Sequence, residues 1–451
     1  MKIVIIGGGT GGATLAFQIR KINKDCDIEI IESSDNLQYS PCALPYAVSG
    51  EIPSFEDLFI FTKEQYAQNN IIFKKNSKAI KIFPTKKQVE ILSNSNKELI
   101  SFDALVLATG ASPIIPPIPG LTKENSLVLK TIDDAKRIKE IVTLRETSDS
   151  SQKIQKNITI IGAGLIGVEL ATSLSDLGQK VTLIDQKHIL SSNLDKDMGS
   201  IVKDYLIENG IKVYENSKIE KIDNSKICLD NDLAKEVNFE ELIVCAGVRP
   251  NLELAIASKI KTDKGIIVNP FMETSKKGIY AIGDCVESKE FYTNETVLSL
   301  IATSAVRQSK VVARNIFGAK EKFPKVLNTT ISRAKDLIFG STGLSSDRAS
   351  SLGIKTVSAK YSGETKSEYV PQRKPITIKI IADLKGTIVG AQIIGFEEIA
   401  GRLDLLALAI SKKMDLSDLE EVEFCYNPMT APIFEPISIA AHLCKKRLTS
   451  L

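Results

Sequence analysis

Three groups of residues in this chain have the types and spacing to do chemistry. The first is Gly7-Gly8-Gly9-Thr10-Gly11-Gly12, a G-x-G-x-x-G pattern, with Glu32 twenty residues beyond its last glycine. The second, Gly162-Ala163-Gly164-Leu165-Ile166-Gly167, repeats the pattern with Asp185 eighteen residues on. The third is a single thiol, Cys42, in Tyr39-Ser-Pro-Cys-Ala-Leu-Pro-Tyr46. Loops of the first kind suit a dinucleotide. Gly7 and Gly162 allow a tight turn, Gly9 and Gly164 let the backbone approach a pyrophosphate, and Gly12 and Gly167 permit close packing of helix on strand. The anionic charge then meets a helix N-terminus, and Glu32 or Asp185 accepts hydrogen bonds from ribose hydroxyls. A carboxylate at Asp185 also repels a 2′-phosphate and favours NADH, whereas Lys187 and His188 partly offset that repulsion and leave NADPH open. For Cys42, Pro41 suits the first turn of a helix, so the thiol is expected to face unsatisfied N–H groups and a positive helix end. That favours the thiolate, which attacks disulfides or is oxidised to sulfenic acid. The competing reading is a buried, inert cysteine.

These residues need elements to hold them. Lys2 to Ile6 is a short apolar run bounded by glycines, as expected of a strand covered on both faces. Helical spacing follows from Gly12 to about Ile22, then a strand from Asp27 to Glu32, which completes a βαβ unit. Ile158 to Ile161, Gly162 to Leu177 and Lys180 to Asp185 repeat the plan about 155 residues later, too distant for a solenoid. The polar run from Arg145 to Lys156 reads as a surface connection. From about Pro324 the pattern changes to strand-like runs, Thr377 to Ala382 and Thr387 to Ile394, and a helical stretch near Arg402 to Lys412. The expected fold is α/β, with two Rossmann-like dinucleotide-binding domains and a C-terminal α+β domain. The first nucleotide domain is expected over 1–115 and 246–322, the second over 116–245, and the terminal domain over 323–451.

Composition narrows the function classes. At 451 residues the chain is too long for one ordinary core. A hydrophobic content of 43% and a charged content of 25% match a globular protein, and no stretch approaches the ~20 apolar residues of a membrane span. The N-terminus runs straight from a strand into glycines, leaving no room for a signal peptide, so a cytoplasmic location is expected. A net charge of +3 gives no footprint for nucleic acid. Seven cysteines without a C-x-x-C pair suggest neither a disulfide framework nor a metal site. With only His188 and His442 there is little material for histidine acid–base chemistry, so a cofactor must carry the reaction.

Nearly the whole chain resembles the two-dinucleotide flavoproteins called pyridine nucleotide-disulfide oxidoreductases. Ala108-Thr109-Gly110 and Cys245-Ala246-Gly247 stand where that family crosses between domains, and Ile279-Tyr-Ala-Ile-Gly-Asp284 is similar to its flavin motif. The resemblance implies FAD at Gly7, Gly9, Gly12, Glu32, Thr109, Gly110 and Asp284, and NAD(P)H at Gly162, Gly164, Gly167, Asp185 and Gly247, with NADH favoured. Dithiol members carry C-x-x-x-x-C, but five residues after Cys42 stands Ala47. The single cysteine instead resembles the branch of NADH oxidases, NADH peroxidases and coenzyme A-disulfide reductases, and most closely archaeal NADH oxidases with Y-S-P-C-A-x-P-Y and a terminal F-C-Y-x-P, here Phe424 to Pro428.

That branch implies roles for further residues. Glu169 matches a glutamate beside nicotinamide and flavin, and Tyr426 a tyrosine delivered to the partner subunit's active site, which makes a homodimer. Tyr39 and Tyr369 fall on the substrate side. Arg20 and Lys21 stand where related reductases bind coenzyme A phosphates, or else simply cap the negative end of their helix. The implied acceptors are a small disulfide such as coenzyme A disulfide, polysulfide, or oxygen. Two departures matter: Thr10 replaces the histidine that supports a sulfenic acid in peroxidases, and Pro41 replaces the asparagine of coenzyme A-disulfide reductases. A ferredoxin- or rubredoxin-type reductase, or a flavin-bound NADH sensor, stands as the alternative.

Overall fold

The computed structural model describes residues 1–143, 155–231 and 233–450, so most of the polar run from 145 to 156 lies outside the described residues. The chain divides into two compact units. One comprises 1–114, 130–132 and 248–326, the other 115–129, 133–247 and 327–451. Among the described residues no helix is long and apolar enough to cross a membrane.

The first unit is built on the strand Lys2–Ile6, which has isoleucine or valine at four successive positions and is buried along them. Continuous burial requires cover on both faces, the condition of a parallel sheet. The five strands lie in the spatial order Ile279–Ala281, Ala104–Leu107, Lys2–Ile6, Asp27–Ile31, Ile71–Lys74, all parallel. The helix Thr10–Ile22 starts two residues before its expected position, because Gly9 already accepts the first helical bond from Ala13 N–H at 3.0 Å. It packs on the helix Ala302–Asn315. A meander of Ser77–Phe83, Gln88–Ser93 and Asn96–Ser101 was not separated by the sequence reading. Its second turn, Asn94-Ser95, has φ of 48° and 67°, the paired positive values of a tight hairpin turn.

The second unit repeats the parallel plan in the order Lys212–Tyr214, Lys180–Ile184, Asn157–Ile161, Glu241–Val244, Leu127–Val128. It also contains a five-stranded antiparallel sheet, Thr330–Ala334, Leu337–Gly343, Ile388–Gly395, Pro375–Asp383, Thr356–Glu364. The runs expected at 377–382 and 387–394 are strands here, the first longer at both ends. The helix expected near Arg402 to Lys412 spans Ile399–Ser411, and together with Pro436–Leu448 it covers this sheet.

Within this unit an ion cluster, buried at Lys379 and Asp195 and open at Asp197, ties the segment after Lys180–Ile184 to the antiparallel sheet. Lys379 Nζ lies 2.8 Å from Asp195 Oδ2 and 2.7 Å from Asp197 Oδ1, and Asp195 N–H donates to Gln392 Oε1 at 2.9 Å. Burial opposes the charge on Asp197, but hydrogen bonding and charge from Lys379, helped by Lys360, outweigh it and lower its pKa below 3.8. Burial likewise opposes the Lys379 ammonium, and Asp195 and Asp197 still raise its pKa above 10.5. The lowered acid contributes stability above pH 3.8 that is lost as pH falls through its folded value. The raised base contributes below pH 10.5 and loses its contribution as pH rises through its folded value. Lys379→Met leaves a buried carboxylate at Asp195 without its cation. The substitution is expected to lower the thermal midpoint near neutral pH by roughly 6–12 °C, corresponding to ~3 kcal/mol. It should also flatten the decline expected of the parent below about pH 4. Circular dichroism melts across that pH range check both, and an unchanged neutral midpoint counts against the interlock.

Candidate functional site

In the first unit the glycine loop is closed by backbone contact. A Cβ on Gly7, whose φ is 105°, would stand 2.2 Å from Ala108 O, and one on Gly12 would stand 2.0 Å from Gly7 O. At Gly9 a Cβ would meet nothing within 4 Å. The loop therefore rejects side chains where helix meets strand and opens outward at Gly9, the cradle that a pyrophosphate needs. Glu32 braces the loop: Oε2 accepts from Gly8 N–H at 2.7 Å and Oε1 from Ser34 N–H at 2.8 Å. Ser33 Oγ also donates to Oε1, at 3.3 Å, so the carboxylate is fixed at the loop mouth with Oε2 keeping a lone pair for a ribose hydroxyl.

The second unit reproduces this geometry. A Cβ on Gly162, at φ 106°, would stand 2.4 Å from Cys245 O, one on Gly167 would stand 1.9 Å from Gly162 O, and one on Gly164 would meet nothing within 4 Å. Asp185 Oδ2 accepts from Ala163 N–H and Oδ1 from Lys187 N–H, both at 2.8 Å. His188 is turned to other partners, its Nδ1 3.1 Å from Ile189 O and its Nε2 3.7 Å from Asp347 Oδ2. Of the two residues set against Asp185 in the sequence, only Lys187 keeps an exposed side chain clear of such contacts. Both loops thus fit a dinucleotide, on backbone geometry alone.

Further residues of the first unit gather around the strand ends. Asp284 sits in the turn Gly283–Cys285, whose first N–H donates to Gln308 Oε1 at 2.7 Å, and its Oδ2 lies 3.7 Å from Lys130 Nζ. Thr109 Oγ1 donates to Asn251 O at 2.9 Å, Asn251 Nδ2 donates to Thr109 O at 2.8 Å, and Asn251 N–H donates to Gly110 O at 2.9 Å. Gly110 turns the chain here at φ 66°, and Gly247, the last residue of its segment of the second unit, does so at φ 98°. Lys130 and Asn251 were missed by the sequence reading. Each reaches its partner across more than a hundred residues, and no local pattern marks either.

Cys42 lies in the single turn Pro41–Ala43, which runs into the six-residue helix Leu44–Ser49. Pro41 occupies the first position as expected, but so short a helix has little macrodipole, and the nearby N–H groups are what it offers a thiolate. Cys42 and Cys425 are the exposed cysteines. Burial raises the pKa of Cys26 and Cys285, and pushes Cys245 up to about 12 and Cys444 up to about 11, which silences them as nucleophiles. Ala47, where a dithiol enzyme has its second cysteine, is fully buried. Tyr39 is held by its phenol, which accepts from Ile132 N–H at 3.1 Å, and by an edge contact with Phe59.

In the second unit Tyr369 and Tyr426 are brought together from 57 residues apart, their hydroxyls 3.3 Å from each other. Hydrogen bonds from Ser367 and then Tyr426 lower the pKa of Tyr369, while the bond to Tyr369 raises that of Tyr426. One phenol of the pair is thereby made the better donor. Glu169, on the helix Leu165–Asp176, is half-buried, and its Oε1 accepts from Ser332 Oγ at 2.6 Å.

Arg20 requires a correction. Its five N–H donors point at five backbone carbonyls: Asn69 O at 2.7 Å, Asn23 O at 3.5 Å, Lys24 O at 2.5 Å, Cys26 O at 2.9 Å and Asn70 O at 3.0 Å. A phosphate would have to displace these bonds. Arg20 therefore fastens the end of its helix to two neighbouring loops, and of the basic pair only Lys21 is exposed to a ligand.

Comparison with known proteins agrees with this geometry. A family model described as pyridine nucleotide-disulphide oxidoreductase matches residues 1–308, and that family's dimerisation domain matches 334–435. The chain is 38% identical to an NADH oxidase of Methanocaldococcus jannaschii, with all of both chains covered. It is 30% identical to a CoA-dependent NAD(P)H sulfur oxidoreductase of Pyrococcus furiosus over 98% of this chain and 99% of that one. Among solved structures, an NAD-dependent persulfide reductase from A. fulgidus superposes with a TM-score of 0.93 at 29% identity, covering 100% of this chain and 84% of that one. Two dinucleotide loops of matching design, each braced by its own acid, thus belong to a member of the pyridine nucleotide-disulphide oxidoreductase family, an FAD-dependent NAD(P)H oxidoreductase.

Proposed function

We propose that this oxidoreductase delivers electrons from NAD(P)H to Cys42 and from there to a small disulfide, with coenzyme A disulfide or polysulfide as the acceptor class and oxygen as a second outlet. The observation that carries the reading is the exposure of Cys42 in a sequence motif of the single-cysteine branch, while four other thiols are silenced by burial. The names of the relatives, NADH oxidase and CoA-dependent sulfur oxidoreductase, support the same pair of outlets.

FAD, when bound, would supply the transfer of an electron pair from NAD(P)H. The Gly7 loop with Glu32, Thr109, Gly110 and Asp284 would hold the flavin nucleotide, and the Gly162 loop with Asp185 and Gly247, with Glu169 on its nicotinamide side, would hold the nicotinamide nucleotide. The Cys42 thiolate attacks the acceptor RSSR, forming a Cys42–S–S–R bond and releasing RS⁻. Two electrons and two protons then cleave that bond and protonate both thiolates, giving Cys42 thiol and RSH. The net change is RSSR plus NAD(P)H plus H⁺ to two RSH plus NAD(P)⁺. Tyr39, Lys21 and the Tyr369–Tyr426 pair serve the acceptor side, the pair by donating a proton to a departing thiolate. Thr10, in place of a histidine, leaves a sulfenic acid at Cys42 without that support, which weighs against a peroxidase cycle.

A homodimer completes the proposal. Tyr426, Met429, Ile433 and Phe434 form an apolar stretch exposed by 50%, 59%, 65% and 73%, within the segment that the dimerisation-domain model matches. So much exposed apolar side chain in one stretch calls for a partner surface. Light scattering is expected to give twice the chain mass, and a fully active monomer defeats the idea.

Two substitutions test the chemistry. Cys42→Ser is expected to abolish coenzyme A disulfide and polysulfide reduction, by roughly 100-fold or more, while leaving NADH-dependent oxygen consumption in place. Disulfide reduction that survives intact in this variant excludes the thiol route. Asp185→Ala removes the charge that opposes a 2′-phosphate and is expected to raise the NADPH-to-NADH ratio of kcat/KM about tenfold. Steady-state kinetics with both nucleotides measure it.

A further inference from the structure

We propose that Ser332 is a positioning residue for Glu169: its hydroxyl bond holds the carboxylate in one orientation at the second dinucleotide loop. The inference rests on the reading of Glu169 as the nicotinamide-side glutamate.

Ser332 lies in the middle of the strand Thr330–Ala334. Along that strand Ile331 is 46% exposed, while Ser332 and Ala334 point inward and are 7% and 0% exposed. An inward position of a half-covered strand is where an apolar residue belongs. A hydroxyl buried there is tolerated only with a partner, and its partner is Glu169 Oε1, at 2.6 Å, the length of a charge-assisted O–H···O bond. The bond joins residues 163 apart in sequence.

The surroundings make this bond a device for orientation. Glu169 sits two residues past Gly167, so its backbone is fixed by the packing that closes the loop. Its side chain has three rotatable torsions, which the Ser332 bond restrains at Oε1. The helix Leu165–Asp176 packs along the strand Thr330–Ala334, and at its far end Asp176 Oδ1 lies 3.1 Å from Lys335 Nζ, just beyond that strand. Asn193 Nδ2 donates to Thr330 Oγ1 at 3.1 Å and adds a third tie to the same strand. Ser332 therefore presents its hydroxyl from a strand packed against the helix and tied to it at the far end. Preorganisation of this kind affects the step in which geometry is critical more than it affects binding.

The test uses the flavin-loaded protein, with Ser332→Ala, Ser332→Thr and, as a control on the underlying reading, Glu169→Gln. Anaerobic stopped-flow bleaching of the flavin by NADH gives the limiting rate and the half-saturating concentration, and calorimetric titration with NAD⁺ gives affinity without turnover. For Ser332→Ala the limiting rate is expected to fall about tenfold, with half-saturation and NAD⁺ affinity within about twofold of the parent. Threonine, which keeps the hydroxyl, is expected to restore the rate to within about threefold. If Glu169→Gln is slowed and Ser332→Ala is not, the positioning role is overturned and the reading of Glu169 stands. If Glu169→Gln bleaches at the parent rate, that reading falls and the proposal falls with it. A slowed Ser332→Ala whose NAD⁺ affinity drops by the same factor, and which threonine does not rescue, also overturns the proposal, because it reports local collapse.

Discussion

A carbonyl oxygen standing where a Cβ would be is the constraint on which both nucleotide sites depend. Gly7 O reaches Gly12 and Gly162 O reaches Gly167, each to about 2 Å of the position a methyl would take. Only glycine permits that approach. Because the helix can start this close to its strand, its first N–H groups point into the loop. The open side at Gly9 or Gly164 then becomes a concave, donor-lined surface, and the acid at the end of the next strand is near enough to brace the loop's second N–H. Parallel sheets, buried strands and braced carboxylates are the apparatus that holds one short backbone contact in register, built twice.

What could be read from the sequence was local. Glycine spacing, the acid eighteen or twenty residues later and the apolar runs before them are patterns of near neighbours, and the strands and helices they implied lie where the physics of burial puts them. The single thiol was equally visible, since the absence of a cysteine at position 47 is a fact of spacing. The ties that tune the sites were not. Asn251 locks Thr109, Lys130 approaches Asp284, and Ser332 meets Glu169, all across more than a hundred residues. Arg20 shows the limit from the other side. A basic residue at a helix end looks the same in sequence whether it faces a phosphate or a ring of carbonyls, and only the loops folding back at Asn69 and Asn70 distinguish the two.

The second unit joins a dinucleotide loop to an antiparallel sheet. Its antiparallel sheet carries Lys379 to buried Asp195 and Ser332 to a carboxylate on the helix Leu165–Asp176, while its exposed segment carries Tyr426 toward Tyr369. One sheet therefore fixes the Gly162-loop segment from within and, on the proposed function, carries the Tyr369–Tyr426 pair to the acceptor side.

Burial of Ala47 where a second thiol would otherwise stand has a consequence beyond the catalytic cycle. A protein with two facing cysteines can close its own disulfide and store an electron pair privately. With one, the oxidised form borrows its other sulfur from solution. On the proposed chemistry the resting state is then a covalent record of the surrounding thiol pool: whichever small disulfide is abundant becomes part of the molecule, and its fraction follows mass action. Such a protein is a sampling electrode as well as a catalyst, its composition drifting with the medium it serves.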